Sequence, residues 1–164
     1  MGGTVAFPSV FDLQKMVDEL MPVYQPLTER KSIRMLVESE KNLLVYADEN
    51  QVQLIMRNLI DNAIKFTPLE QSIRIRLKRE DKSISICISN PYSDLLNKDF
   101  LQADQIQSPA YGTANEKGVG LGLHLCRAYI AQNGGALLIG FDDNQVTFCF
   151  KLPGADDIEL PNTH

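Results

Sequence analysis

The sequence predicts an α+β domain: a two-layer α/β sandwich with a mixed, mostly antiparallel sheet of about five to six strands and three helices on one face. Three observations carry this. Strand-like alternation comes in pairs separated by short polar turns, at 72–79 with 83–90 and at 136–141 with 145–152. Three other stretches show helical spacing of apolar residues. The chain has 164 residues, 44% of them hydrophobic and 23% charged, enough for one domain with a buried core.

Residues 1–8 open with Met-Gly-Gly and read as a tag or linker remnant, so the domain proper is expected to span 9–153 as a piece of something longer. The run 11–31 is a helix, with Leu13, Met16, Val17, Leu20 and Met21 at helical spacing; Pro22 and Pro26 should kink it or end it early. Short strands at 33–38 and 43–47 are joined by the polar turn 39–42. Asp48 then caps a helix running to about Phe66, and Thr67-Pro68 ends it, because a residue before proline avoids the helical region. Strands 72–79 and 83–90 form a hairpin about Glu80-Asp81-Lys82. Residues 91–117 carry little regular pattern, as expected of a lid or binding loop. A helix at 121–132 is closed by Gly134-Gly135, and a last hairpin turns at Asp142-Asp143-Asn144. The tail 154–164 is polar and expected to be flexible.

The net charge of −5 argues against binding driven by nucleic-acid phosphates. The most basic stretch, Arg74, Arg76, Lys78 and Arg79, alternates with Ile73, Ile75 and Leu77 as on the wet face of a half-buried strand. Cys87, Cys126 and Cys149 are far apart in apolar runs, so they are expected as buried thiols in a reducing compartment. Only His124 and His164 could join them at a metal, which disfavours zinc. No apolar run approaches the roughly 20 residues of a membrane helix, and no leader pattern is evident. A cytoplasmic location is expected, with no membrane contact by this segment.

Two stretches carry chemistry. In RNLIDNAIKFTP, residues 57–68, Asn58, Asn62 and Lys65 fall within an arc of about 60° on the helical wheel. The apolar set Val52, Ile55, Leu59, Ala63 and Phe66 is centred roughly 110° away, so the polar groups border the buried face. An amide oxygen can ligate a hard cation such as Mg²⁺, and an ammonium can meet a phosphate. In GVGLGLHL, residues 118–125, Gly118, Gly120 and Gly122 alternate just before a predicted helix. Glycines let backbone N–H groups approach an anion closely, and a helix start adds unpaired N–H groups.

NLIDNAIKFTP, a strand ending near Asn90, a long loop, and KGVGLGLHL together resemble the Bergerat-type ATP-binding fold of gyrase, the heat-shock chaperone ATPase, histidine kinases and the mismatch-repair ATPase. Within it, the chain is most similar to the catalytic ATP-binding domain of a sensor histidine kinase. The resemblance implies ATP and Mg²⁺ as ligands. Asn62 would carry Mg²⁺ and Lys65 would contact phosphate; Phe66 would pack near adenine or equally in the core. Gly118, Gly120 and Gly122, before a helix starting at Leu121, would cradle the phosphates and hinge the lid. Lys117 would add charge there or stand in solvent. Thr147 matches a threonine near adenine, and Phe100 is the one candidate for the lid's phenylalanine.

Asn58 stands where hydrolytic branches of the superfamily have a glutamate. An amide is a negligible base at neutral pH, which suits phosphoryl transfer to a better nucleophile such as imidazole. Asn58 and Lys65 are thus the expected catalytic groups. The acceptor histidine is expected on a dimerisation domain, N-terminal in the parent protein or in trans, with a response regulator engaged indirectly. The chain departs from the family at the first glycine box. Asn90 replaces an aspartate that binds the adenine amino group, and Pro91, Tyr92 and Ser93 replace the glycine-containing turn. A degenerate, non-catalytic module of the same fold and a serine kinase of the anti-sigma-factor type are the competing expectations.

Overall fold

The computed structural model describes residues 5–91 and 114–155, with the side chains of 114–121 outside that description. In chain order the elements are β1 (Ser9–Asp12), α1 (Leu13–Lys31), β2 (Arg34–Ser39), β3 (Leu44–Ala47), α2 (Glu49–Phe66), β4 (Ser72–Glu80), β5 (Ser83–Pro91), α3 (Ala114–Gln132), β6 (Leu138–Asp142) and β7 (Gln145–Pro153). The main sheet has the order β2-β4-β5-β7-β6, and β1 pairs with β3 in a separate two-stranded ribbon. Only β2 and β4 pair in parallel; the other neighbours in the main sheet are antiparallel. The three helices bury one sheet face, where Ile73, Ile75, Ile84, Ile86, Ile88, Phe148 and Phe150 meet Leu20, Ile55, Leu59 and Ile130 in one core. This is the predicted two-layer α+β architecture.

Local chemistry explains the elements that were legible. Asp48 caps α2 by accepting from the N–H of Gln51 at 3.1 Å, and Thr67 follows the last turn in extended conformation. The β4–β5 hairpin turns at Asp81, whose φ of 57° is the left-handed conformation a tight turn needs. After α3, Gly134 sits at φ 88° with its N–H on the Ala131 carbonyl, and the Gly135 N–H reaches the Ile130 carbonyl. That is a Schellman closure. A Cβ on Gly135 would lie 2.5 Å from the Lys151 carbonyl oxygen, so β7 approaches here as closely as glycine permits.

Four expectations are corrected. First, Phe11 and Asp12 complete β1 rather than opening α1, and α1 runs through both prolines. Pro22, Pro26 and Asp18 are all exposed, so the carbonyls of Asp18 and Pro22, which lose their helical donors, face water. Second, β2 and β3 are not a hairpin: β2 joins β4 and β3 joins β1. A four-residue polar turn reads the same whether its strands fold back or part.

Third, Cys87 and Cys149 are not buried free thiols. They are cross-strand partners on β5 and β7, half-buried on the face away from the helices, and joined in a disulfide. Their neighbours Ile86, Ile88, Phe148 and Phe150 point inward, so alternation turns both cysteines outward. Cys126 alone is a buried free thiol.

Fourth, α3 begins at Ala114, so Gly118, Gly120 and Gly122 lie inside the helix rather than ahead of it. Interior glycine costs a helix about 1 kcal/mol relative to alanine but does not forbid it, and the Ala-Asn-Glu-Lys run before Gly118 sustains the turn.

The ends of the domain are bonded further than 9–153. Phe7 donates to Asp48 at 2.8 Å, Gly154 to the Lys82 carbonyl at 2.8 Å, and Ala155 to the Leu44 carbonyl at 2.9 Å. Tail residues 156–164, lid residues 92–113 with Phe100, and His164 lie outside the described residues.

Candidate functional site

Helix α2 is the central helix, packed on the sheet and flanked by α1 and α3. Val52, Ile55, Met56, Leu59, Ile60, Ala63 and Ile64 are all buried, a wider stripe than one-sided packing needs. The polar positions border it as expected: Asn58 and Asn62 are half-buried, and Lys65 is exposed. Phe66 is half-buried and packs against the core, with the Lys65 Nζ 5.9 Å from its ring centroid.

α3 runs antiparallel to α2. Gln51 Nε2 donates to Gln132 Oε1 at 3.0 Å, the Cys126 thiol to the Ile55 carbonyl at 3.8 Å, and a Cβ on Gly122 would sit 3.5 Å from Asn58 Oδ1. Continuing that register one turn brings Gly118 to the level of Asn62. The Cys126 thiol is pushed up to about 12, chiefly by burial, with the Asn58 amide and Arg127 opposing. It is an inert packing thiol at neutral pH.

Among the described residues two side-chain amide atoms are buried without a partner. One is Asn62 Nδ2 and the other Asn90 Oδ1. Asn90 is only 1% exposed, and its Nδ2 donates to the Pro91 carbonyl at 2.7 Å. That bond fixes the amide with its oxygen as the open acceptor. A buried polar atom without a partner costs on the order of 1–3 kcal/mol, so such atoms mark places where another molecule supplies the partner. Topology puts both in one region. Ser89 pairs with Arg74 near the start of β4, a strand that begins at Ser72, a short turn after α2 ends at Phe66. Asn90 therefore lies at the sheet end nearest Asn62, Lys65 and Phe66.

Thr147 is not part of this group. Val146 and Phe148 point into the core, so Thr147 faces the opposite side of the sheet, where its hydroxyl meets that of Ser89 at 2.9 Å. It lines an open cleft of about 430 Å³ with Arg74, Arg76, Ser89 and Gln145. The expectation that it stands beside adenine fails on strand parity. Lys117 and Leu121 lie on α3, but their side chains are outside the described residues, as are Tyr92 and Ser93. His124 is exposed on α3.

Sequence reasoning missed what holds α2 in place. The Asn133 amide accepts from the Asp48 N–H at 2.8 Å and donates to Gln51 Oε1 and the Tyr129 carbonyl, both at 2.8 Å. At the other flank Lys31 Nζ donates to the Ile64 carbonyl at 2.6 Å, and the Tyr24 hydroxyl to the Arg57 carbonyl at 3.4 Å. Burial, then the nearby Asp61 carboxylate, pushes the Tyr24 phenol well above its usual range. Burial also raises Asp61, against the pull of Tyr24, Arg57 and Lys65. Partners separated by 82 residues leave no local pattern; the one signal was Asn-Gly-Gly after a helix.

Among the described residues no cluster of His, Cys, Asp or Glu could hold a metal ion, and no helix is long and apolar enough to cross a membrane.

Comparison with known proteins agrees with this geometry. The model of the histidine kinase-, DNA gyrase B- and HSP90-like ATPase family matches residues 47–156. The chain is 29% identical over 148 residues to the probable sensor protein PcoS of Escherichia coli, covering 86% of this chain and 30% of that protein. It is 30% identical over 146 residues to the adaptive-response sensory kinase SasA of Gloeothece citriformis, covering 86% and 37%. The chain thus spans about a third of the length of these relatives. Among solved structures, the catalytic domain of histidine kinase ThkA superposes with a TM-score of 0.78 at 23% identity, covering 90% of this chain and 95% of that one. With a matched segment that runs from the cap of α2 through β7, the chain belongs to the histidine kinase-, DNA gyrase B- and HSP90-like ATPase family.

Proposed function

We propose that this chain is the ATP-binding catalytic domain of a sensor histidine kinase, which binds Mg-ATP and passes the γ-phosphoryl group to a histidine outside this sequence. The observation that carries the reading is the pair of unpartnered buried amide atoms, Asn62 Nδ2 and Asn90 Oδ1, at the two sides of one region. Asn62 fits a nucleotide phosphate with its cation: the amide nitrogen would donate to a phosphate oxygen and the amide oxygen would serve as a ligand for Mg²⁺. Mg²⁺ supplies charge neutralisation at the phosphates when bound. Lys65, exposed at the end of α2, adds a cation there.

Asn90 takes the base. Because Pro91 holds its nitrogen, only the acceptor is left open, and this favours a purine with an amino group at C6 over one with a carbonyl. The bond lacks the assistance of a carboxylate charge and is weaker than the family's usual one. Phe66 offers a half-buried aromatic edge to the same base.

The glycine turns of α3 bind phosphate by unwinding. Gly118, Gly120 and Gly122 weaken the first turns of α3, and opening them frees backbone N–H groups at the level of Asn62. Lys117 and Leu121 flank that cradle on α3. Asn58 has no carboxylate to activate water, so the site positions and neutralises ATP for an incoming imidazole. The acceptor domain and a response regulator are the partners; one solved relative is histidine kinase ThkA in complex with the response regulator protein TrrA.

Calorimetric titration with ATP, with and without Mg²⁺, beside Asn62→Ala tests the reading. Micromolar to submillimolar binding that weakens in the variant supports it. No binding at millimolar nucleotide supports a degenerate module instead, whose motive is the uncharged Asn90. Incubating the loaded domain with an acceptor domain gives an acid-labile phosphoprotein for a histidine kinase and an acid-stable one for a serine kinase.

A further inference from the structure

On the open face of the sheet one lateral row runs Glu38, Arg76, Cys87, Cys149, Leu138, each residue the register partner of the next. Nothing in the nucleotide reading uses this row. The Cα atoms of Cys87 and Cys149 are 4.2 Å apart, the close spacing of a non-hydrogen-bonded antiparallel pair, where side chains on one face come nearest. Both residues are half-buried, so small reagents reach them from solvent. Arg76 flanks Cys87 and is held in place by Glu38 at 3.1 Å; the Ser85 hydroxyl lies 3.7 Å from the Cys87 sulfur. The Ser85 hydroxyl is placed to donate to the Cys87 sulfur when it attacks as a thiolate, the species that reacts. Cys126 has the opposite surroundings, fully buried under α2.

We propose that Cys87 and Cys149 form a thiol–disulfide exchange site, a covalent modification site on the open face that takes small disulfides of the glutathione type as oxidant. The Cys87 thiolate attacks one sulfur of the oxidant, forms a mixed disulfide and releases one small thiolate. Cys149, losing its proton, attacks the Cys87 sulfur and displaces the second small thiolate. Two electrons pass from the cysteine pair to the oxidant; one disulfide forms, one is broken, and two small thiols leave. Excess small thiol runs the exchange backward. The closed bond staples the central strand β5 to its neighbour β7 across a sequence separation of 62 residues. A loop of that size removes much unfolded-state freedom, so the oxidised chain melts on the order of 10 °C above the reduced one.

The test uses the full chain, reduced, freed of reductant, then incubated with oxidised glutathione. Denaturing alkylation and intact mass follow. The expected product carries one alkyl group, mapped to Cys126, and no glutathione; reduction before alkylation gives three alkyl groups. Cys149→Ser, which removes the resolving thiol, is expected to trap glutathione on Cys87. Oxidised and reduced wild type should differ in melting temperature, and Cys149→Ser should show no such difference. Three alkyl groups after oxidised glutathione, or a wild-type chain that stays glutathionylated, overturns the proposal. Both wild-type readouts are independent of whether any variant folds.

Discussion

α2 and α3 lie antiparallel against each other and contribute the two halves of the candidate site, but they are built in opposite ways. α2 is fixed along its whole length. Its first turn is bound through Asp48, Gln51 and Asn133, its middle by the Cys126 thiol on the Ile55 carbonyl, and its last turns through Lys31 on Ile64. α3 is fixed from Leu123 onward by Leu123, Cys126, Ile130 and the Gly134-Gly135 closure, while its first turns carry three glycines in a helix that gains nothing from them. The lesson is a division of labour: groups that must hold a geometry sit on the rigid helix, and groups that must change it sit on the weak end of its neighbour.

The largest effect should come from the rigid side. Asn62→Ala deletes an amide whose nitrogen already lacks a partner, so the fold loses little and melting should shift by less than about 2 °C. Phosphoryl transfer should fall by roughly 100-fold or more, the scale of losing one positioned group at a developing charge. Equal losses of melting temperature and transfer would mean that Asn62 holds the helix instead of the substrate. The matching base test compares ATP with inosine triphosphate in wild type. The carbonyl at C6 leaves Asn90 Oδ1 facing another acceptor, and binding should weaken about tenfold. Equal affinities would remove Asn90 from the site while leaving the rest of the reading intact.

Next comes a test that the far end of α3 is structural. Gly135→Ala places a Cβ 2.5 Å from the Lys151 carbonyl oxygen and 3.3 Å from Ile130 Cγ2, and backbone cannot yield cheaply. A loss of about 2 kcal/mol in urea unfolding is expected, with nucleotide affinity unchanged in the folded fraction. Gly122→Ala is its counterpart at the weak end. The added methyl meets Asn58 Oδ1 at an ordinary 3.5 Å, so nothing clashes and the helix gains about 1 kcal/mol. If ATP binding unwinds this turn, the same energy is charged to binding, and affinity should drop roughly fivefold as melting rises a few degrees. Opposite signs in the two measurements are the signature; a rise in both would leave Gly122 as a packing residue only.

How much of this was legible depended on whether the signal was local. Asp48, Thr67, Gly134 and the two hairpins were readable because caps and turns act within four residues. The helix bearing Asn58 and Asn62 was readable because burial on α2 follows its own period. Thr147 and the cysteine pair were misassigned for one shared reason: alternation on β5 and β7 sets which face a residue takes, and a motif match ignores parity. The start of α3 was misplaced because glycine was taken as a boundary where the chain tolerates it as a weakness. The second strand pair failed because pairing of β2 with β4 is decided across the intervening α2.

The smallest expected effect probes the α1 flank of α2. Tyr24 is 7% exposed and donates to the Arg57 carbonyl, one turn before Asp61. Burial and the Asp61 carboxylate raise its phenol above the unfolded value of 10.0. A group raised in the folded state contributes stability that is complete below its unfolded pKa and is lost as pH climbs toward the folded one. Wild-type stability should therefore fall above about pH 10, where the unfolded chain sheds the proton and the folded chain keeps it. Tyr24→Phe should cost about 0.5–1 kcal/mol at pH 7, for one hydrogen bond. The wild-type advantage should narrow, then reverse, as urea unfolding is repeated toward pH 11. A constant difference across that range would mean that the hydroxyl is not held between Arg57 and Asp61, and that α2 is rigid on its α3 side alone.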